Sequence, residues 1–362
     1  MKVLHVINSL ETGGGEKLVI DTVPKYNEEG IPTDVLLLNG DRTPFFEKLQ
    51  SLNCCNIYSL GTRSVYNPLH IFKIIPYLKK YDVIQVHLFP SQYWVAVAKL
   101  LSFSKCKIIY TEHSTSSRRM RNKIFRLIDP FFYWPYSKII CITDTVSEGV
   151  RARIPEIDGK LLVINNGVDI KKFRDAPPFP LHKIFSQEVI NRKILIQVSS
   201  FQPPKDQATL IRAVKVLPEN VVLLLIGDGE LRESCNNLVQ ELGLQERVVF
   251  LGIRTDVAQL LKAADIIVLS SGYEGLSLAS IEGMASGRPF IASDVPGLTE
   301  IVGGAGELFT AGDAHDLASK IQYLLSNGNV YEATVQKCTA RAESYDIKTM
   351  ISRHMDLYRS LV

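Results

Sequence analysis

Two α/β domains, each with a parallel Rossmann-like sheet, are predicted by three features of the sequence. Short apolar runs rich in β-branched residues alternate with longer stretches of helical periodicity. This rhythm occurs twice. Between its two occurrences lies the Pro-rich segment Asp175-Ala-Pro-Pro-Phe-Pro. Continuous apolar runs bounded by turn residues suit strands covered on both faces. The length, 362 residues, fits two domains of ordinary size. An apolar content of 46% and a charged content of 22% supply two buried cores.

In chain order, Val3–Ile7, Val35–Leu38, Val83–Val86, Ile108–Tyr110, Ile139–Ile142 and Leu161–Ile164 read as the first set of strands. Ile194–Val198, Val221–Ile226, Val248–Leu251, Ile266–Leu269 and Phe290–Ser293 read as the second set. Helical patterns at 15–29, 91–103, 206–216, 230–242 and 276–286 complete the βα units. The linker is placed at 174–190, where Pro disfavours regular structure. The expected domains are 1–178 and 185–344, followed by a helix over Tyr345–Leu361 within 345–362.

Net charge is only +3, which gives no reason to expect nucleic acid as a partner. Cys54, Cys55, Cys106, Cys141, Cys235 and Cys338 form no C-x-x-C pair and read as reduced thiols of a cytoplasmic protein. The N-terminal apolar stretch is too short and too alternating for a signal peptide. The best candidate span, 127–142, is interrupted by Asp129, Pro130, Pro135 and Lys138, so no transmembrane helix is expected.

Ligands of open parallel sheets bind beyond the carboxyl ends of strands, and two such domains facing each other would enclose one interdomain cleft. The strand-end segments are therefore where chemistry is expected. After the first strand comes Thr12-Gly13-Gly14-Gly15-Glu16. Its glycines let backbone approach an anion at a helix N-terminus, or simply make a flexible turn. It is neither G-x-G-x-x-G nor a P-loop. Lys205 follows the first strand of the second set and can meet a phosphate as a point charge. After Ile266–Leu269 come Glu274 in the loop and Glu282 two turns along a helix that starts near Leu276. At a rise of ~1.5 Å per residue their separation is roughly 10 Å, which suits positioning of a substrate better than paired-carboxylate hydrolysis. Helix N-terminal amides between them favour a diphosphate.

An ordered set of segments carries a family resemblance: Gly13-Gly14-Gly15-Glu16, Thr111-Glu112-His113, Asn166-Gly-Val-Asp169, Pro204-Lys205, Leu251-Gly-Ile-Arg254-Thr-Asp256-Val257, and Glu274-Gly-Leu with Glu282. Ala263-Ala-Asp265 precedes the last of these and Ala292-Ser-Asp-Val-Pro-Gly297 follows it. Taken together the chain resembles glycosyltransferase family 4, retaining enzymes of GT-B fold, over essentially its whole length. The resemblance implies that the C-terminal helix crosses back onto the first domain. It implies a nucleotide-diphosphate sugar as donor, bound mainly by the second domain, with neither cofactor nor metal. Glu282 would hold the ribose hydroxyls. Glu274 with the backbone of Gly275, Leu276 and Ser277 would hold the sugar and phosphate. Lys205 would neutralise the leaving diphosphate, Gly252 and Arg254 would meet the base, and Gly14 and Gly15 would close on the diphosphate. His113 would contact the donor sugar, so His113, Lys205 and Glu274 form the implied catalytic set. His87 is a further strand-end histidine, placed near the acceptor.

Breaking the anomeric C–O bond leaves a nucleoside diphosphate of growing negative charge, which lysine, helix amides and the glycine loop can stabilise where it develops. The resemblance implies that the leaving phosphate acts as base, with retention of configuration. One position departs from the family pattern: Ser200 stands where many relatives carry the Arg of R-x4-K, and it joins the donor-binding set without that positive charge.

Residues 118–136 place Arg118, Arg119, Arg121, Lys123 and Arg126 before a dense aromatic run. Such a segment suits the anionic inner face of the plasma membrane, or is a solvated helix followed by core aromatics. A glycan or polyprenyl-linked acceptor in bacterial surface polysaccharide biosynthesis is the expected partner. The alternatives are a sugar-nucleotide epimerase, or a sugar-nucleotide-binding protein of the same fold without transfer activity.

Overall fold

The computed structural model describes residues 1–11, 13–113, 123–185 and 191–362. The chain divides into two compact units, Met1–Asn166 with Ile347–Val362, and Gly167–Asp346. The first unit contains β1 (Val3–Ile7), α1 (Gly14–Glu28), β2 (Thr33–Leu37), α2 (Pro44–Ser51), β3 (Ile57–Ser59), α3 (His70–Leu78), β4 (Val83–His87), α4 (Ser91–Ser102), β5 (Lys107–Glu112), α5 (Lys123–Tyr133), β6 (Lys138–Cys141), α6 (Asp144–Arg153) and β7 (Leu161–Val163). The second contains α7 (Ile170–Arg174), β8 (Lys193–Val198), α8 (Gln207–Val216), β9 (Val221–Ile226), α9 (Arg232–Glu241), β10 (Val248–Gly252), α10 (Val257–Ala263), β11 (Ile266–Leu269), α11 (Leu278–Ala285), β12 (Phe290–Ser293), α12 (Leu298–Val302), β13 (Glu307–Phe309), α13 (Ala314–Ser326) and α14 (Gly328–Glu343). The last helix, α15 (Ile347–Leu361), belongs to the first unit.

The strand order is β3-β2-β1-β4-β5-β6-β7 in the first sheet and β10-β9-β8-β11-β12-β13 in the second. The strand pairs of both sheets are parallel. Each order runs outward from a first strand, then reverses to the other side of it. That reversal opens a crevice at the carboxyl ends of β1 and β4 in one sheet, and of β8 and β11 in the other.

Burial explains the continuous apolar runs. Along β9, Val222, Leu224 and Ile226 enter one core cluster while Val221, Leu223 and Leu225 enter another. Successive side chains point to opposite faces of a strand, so a sheet covered on both faces needs apolar residues at every position. Two strands lie outside the expected set, β3 and β13. Both are three-residue edge strands, and their partly exposed residues make no sustained apolar run. The Pro-rich segment 175–180 lies within the second unit, where the amide of Phe179 donates to the carbonyl of Gln259 at 2.9 Å. All six cysteines are free thiols.

Helix α15 returns to the first sheet as expected for the fold. Ile347, Met350, Ile351, Met355 and Tyr358 share a buried cluster with Val3, Ile109 and Ile140 of the sheet and Leu18 and Tyr26 of α1. The expected single C-terminal helix begins only after the break at 344–346, where α14 ends. Because Ile351 is 4% exposed in this cluster, Ile351→Ala is expected to lower stability by about 2–5 kcal/mol. A drop in the urea midpoint would show it, and an unchanged midpoint would contradict the packing described.

Candidate functional site

In the second unit, the loops after β8 and β11 are laced together. The amide of Asp206 donates to the carbonyl of Ser270 at 3.1 Å, and that of Gly272 to Pro204 at 2.8 Å. Gln197, buried at the end of β8, holds both sides. Its Nε2 donates to Ser199 Oγ at 2.9 Å while its Oε1 accepts from the Ser270 amide at 3.0 Å. Gln207 donates to the same Ser199 hydroxyl and to the Ser200 carbonyl. Ser200 is thus fixed through its backbone, while the residue itself is exposed.

This lacing brings Lys205 and Glu274 into an ion pair. Their side chains are 16% and 13% exposed, so solvent screens the pair less than a surface bridge. The sequence assigns them separate tasks; the structure makes each the partner of the other. From a third side, Gly297 presses against the Glu274–Gly275 segment. It has φ +86°, and a Cβ there would overlap the carbonyl oxygens of both Glu274 and Gly275.

Helix α11 begins at Leu278, two residues later than the sequence suggests, because Ser277 is its N-cap and accepts from the Ser280 amide at 3.3 Å. Gly275 and Leu276 precede that cap. Glu282 lies on the second turn and is buried, 4% exposed.

Arg254 differs from expectation in a second way. Its guanidinium is engaged by Asp256 through two bonds of 2.8 and 2.6 Å and lies 5.4 Å from the centroid of the Phe179 ring. Gly252, at φ +65°, accepts from the Gly227 amide. Gly227 and Gly229 form a further close approach, since a Cβ on either would strike the Ser199 or Phe201 carbonyl. The segment Ile226-Gly-Asp-Gly229 at a strand end is a readable signal for it. Asp265, part of the quoted motif, serves the fold: its carboxylate accepts from the Ile194 amide at 2.7 Å.

In the first unit, Asn8 plays the part that Gln197 plays in the second. Its Nδ2 donates to the Phe89 carbonyl at 2.8 Å and its Oδ1 accepts from the Ser91 amide at 3.3 Å, tying the segment after β1 to the one after β4. Gly14 is exposed at the first position of α1, with open space where a Cβ would sit. Gly15 is buried against Leu88, which holds a left-handed backbone at φ +63°. Glu16 folds its carboxylate over Gly13, and burial raises its pKa.

His113 follows β5 and keeps partial exposure. Its Nε2 lies 3.2 Å from Nδ1 of His87, whose Nε2 lies 3.0 Å from Nδ1 of His5. Burial holds His5 down at about 3, with His354 adding to the effect, and holds His87 well below its ordinary value. His113 is also lowered by burial. Beside it, the buried Glu112 accepts from Tyr133 Oη at 2.9 Å. His87 is buried, 1% exposed, so the structure places it behind His113 and not at an open acceptor surface.

Comparison with known proteins agrees with this architecture. Residues 12–172 match the model described as Glycosyltransferase Family 4, and residues 182–342 match Glycosyl transferases group 1. The lipopolysaccharide core biosynthesis glycosyltransferase LpsD of Rhizobium meliloti is 30% identical over 304 residues, covering 82% of this chain and 79% of that protein. The chain belongs to glycosyltransferase family 4. The UDP-Gal:alpha-D-GlcNAc-diphosphoundecaprenol alpha-1,3-galactosyltransferase of Escherichia coli is 26% identical over 302 residues, 78% of this transferase and 76% of its own length. The crystal structure of Anabaena HepE in complex with UDP and glucose superposes with a TM-score of 0.86 at 23% identity, covering 99% of this transferase and all of that chain, and establishes the GT-B fold.

Within the transferase, the residues singled out from the sequence gather at the two strand-order reversals. Lys205, Ser200, Glu274, Gly275, Leu276, Ser277 and Glu282 follow β8 and β11; Gly14 and Gly15 follow β1. Gly252 ends β10, two strands out from β8, with Arg254 just after it, and His113 follows β5, one strand out from β4. Among the described residues, no group of three or more His, Cys, Asp or Glu is arranged to hold a metal ion, and no helix is long and apolar enough to cross a membrane. Of the basic run, Arg118, Arg119 and Arg121 lie outside the described residues. The aromatic run divides by face. Tyr133 and Tyr136 are buried, while Leu127, Phe131 and Trp134 are exposed. Asp129, fully buried, anchors the inner face through Arg153 at 2.7 Å and the Tyr93 hydroxyl.

Gly297→Ala forces either the strained left-handed backbone or the Glu274 segment to move. The transferase is expected to lose about 1–3 kcal/mol of stability and at least tenfold in turnover, read from a denaturant midpoint and from initial rates. Retention of both would show that the close approach places nothing.

Proposed function

We propose that the chain transfers a hexose from a UDP-sugar to a hydroxyl of a lipid-linked glycan, with retention of configuration and without a metal, in the building of a surface polysaccharide. The Lys205–Glu274 pair at the start of α11 carries this reading. A cation held by a carboxylate, next to helix N-terminal amides, is suited to receive a diphosphate. Binding of the donor places Lys205 against the leaving phosphates and Glu274 against sugar hydroxyls. Glu282 takes the ribose hydroxyls. For the first unit, the proposed roles are the Gly14 and Gly15 amides for the diphosphate and His113 for the sugar.

The nucleotide and acceptor are proposed from the relatives: the Escherichia coli enzyme is named for UDP-Gal and a diphosphoundecaprenol acceptor, and HepE was crystallised with UDP and glucose. As the diphosphate departs, charge builds on its oxygens, and preorganised Lys205 and helix amides stabilise that charge. The departing phosphate takes the proton of the acceptor hydroxyl, so no protein nucleophile is needed. With Ser200 in place of the usual arginine, a larger share of the stabilisation falls to Lys205.

Lys205→Ala is therefore expected to lower kcat by about a hundredfold or more, measured as UDP release from a UDP-hexose in the presence of acceptor. Near-normal turnover would overturn the proposed role of Lys205.

Membrane attachment is the second part of the reading. Leu127, Phe131 and Trp134 recur at the spacing of one helix face and are 83%, 58% and 66% exposed, with Arg126 exposed beside them. An apolar stripe edged by positive charge binds an anionic interface. The chain is expected to co-sediment with anionic vesicles at low salt, and Phe131→Ser with Trp134→Ser to weaken this about tenfold. Absence of wild-type binding would remove the membrane from the proposal.

A further inference from the structure

A row of polar side chains runs through the first unit on one face of its sheet. His5 on β1 is opposite Gln85 on β4, and His87 on β4 is opposite Thr111 on β5. His113 lies two residues beyond Thr111. Tyr358 of α15 covers the row from the other end of the chain. His5, Gln85, His87, Thr111 and Tyr358 are each no more than 1% exposed, so every hydrogen bond they make is made within the protein.

The bonds fix the direction in which protons lie. The Gln85 amide donates from Nε2 to Thr111 Oγ1 at 2.8 Å, which turns Oε1 to Tyr358. That oxygen only accepts, so the single phenolic proton of Tyr358 is committed to it. Tyr358 Oη, 3.5 Å from His5 Nε2, is then the acceptor in their contact. A neutral imidazole has one N–H and one lone pair, and burial keeps these rings neutral. With its proton on Nε2, His5 offers the Nδ1 lone pair to Nε2–H of His87. His87 in turn offers Nδ1 to Nε2–H of His113. The choice made at Gln85 thus propagates through three rings.

We infer that His5 and His87, oriented by Tyr358 and Gln85, are positioning residues that lock His113 in the Nε2-protonated tautomer. Its Nδ1 is then a permanent hydrogen-bond acceptor, suited to a donor-sugar hydroxyl and unsuited to an anion. This consequence for turnover rests on the proposed role of His113; the tautomer itself does not. The chain also makes the C-terminal helix a determinant of activity through one hydroxyl group, separately from the apolar packing of the same helix.

The test is nitrogen-15 NMR of histidine-labelled full-length protein with kinetics of variants. In the wild type, His113 is expected to show a pyrrole-like Nε2 and a pyridine-like Nδ1. Tyr358→Phe and His5→Phe, on different elements, are each expected to give His113 mixed tautomers and to lower kcat about tenfold while the donor KM stays within about twofold, the scale typical of losing an orienting partner. Ile351→Ala, which destabilises the same helix without removing a polar atom, is expected to leave the His113 spectrum and kcat unchanged. A wild-type His113 protonated at Nδ1, or a Tyr358→Phe protein with an unaltered His113 spectrum, overturns the lock. Full turnover by His113→Ala overturns the site reading and the kinetic consequence with it, while the nitrogen spectrum judges the lock independently.

Discussion

The reversal of strand order at one point in each sheet is the constraint on which the chemistry of this chain depends. Two neighbouring strands whose connections leave in opposite directions cannot have their ends covered by one connection. The segments after β1 and β4, and after β8 and β11, are therefore free to be shaped for a ligand. In each unit an amide side chain helps tie the two segments together, the half-buried Asn8 in the first and the buried Gln197 in the second. The Lys205–Glu274 pair and the glycine loop are consequences of that arrangement. Gly297 supplies the remaining wall, and its missing Cβ lets the Glu274 backbone sit where it does.

The polar row of the first sheet presents the opposite problem. Three histidines, a glutamine and a threonine face a helix where apolar residues would pack more simply. Buried polar groups are tolerated when each finds a partner. Here the row's members partner one another, and Tyr358 of α15, about 350 residues away in sequence from His5, completes the set. The helix seals the sheet with Ile351, Met355 and their neighbours and closes the polar row with Tyr358. One element thus serves stability and the orientation of strand-end histidines by different side chains.

Much of this was legible in the sequence because parallel sheets buried on both faces leave a simple record. β1, β9, β11 and β12 match their apolar runs residue for residue, and the motif residues lie at strand ends as the topology requires. What could not be read arises from contacts distant in sequence. Nothing in Pro204-Lys205 announces that Glu274 is its partner, and nothing near Arg254 shows that the Phe179 ring lies beside its guanidinium. His5 and His354 carry no motif at all. The three-residue strands β3 and β13 leave no periodicity to detect. Composition shows residues 118–136 as a basic run before a dense aromatic run, but which aromatics are buried, as Tyr133 is, and which exposed, as Phe131 and Trp134 are, depends on the neighbours that folding brings.

The central proposal is that Lys205 and backbone amides, those before α11 and those of Gly14 and Gly15, hold a nucleoside diphosphate without a metal. A thermal-shift panel of UDP, GDP, ADP and their sugar conjugates, with and without EDTA, tests it most directly, because a ligand of the native state raises apparent stability by mass action. The account predicts clear stabilisation by UDP and its sugar conjugates, undiminished by EDTA. Absence of any shift at millimolar nucleotide, or a shift abolished by EDTA, would contradict it.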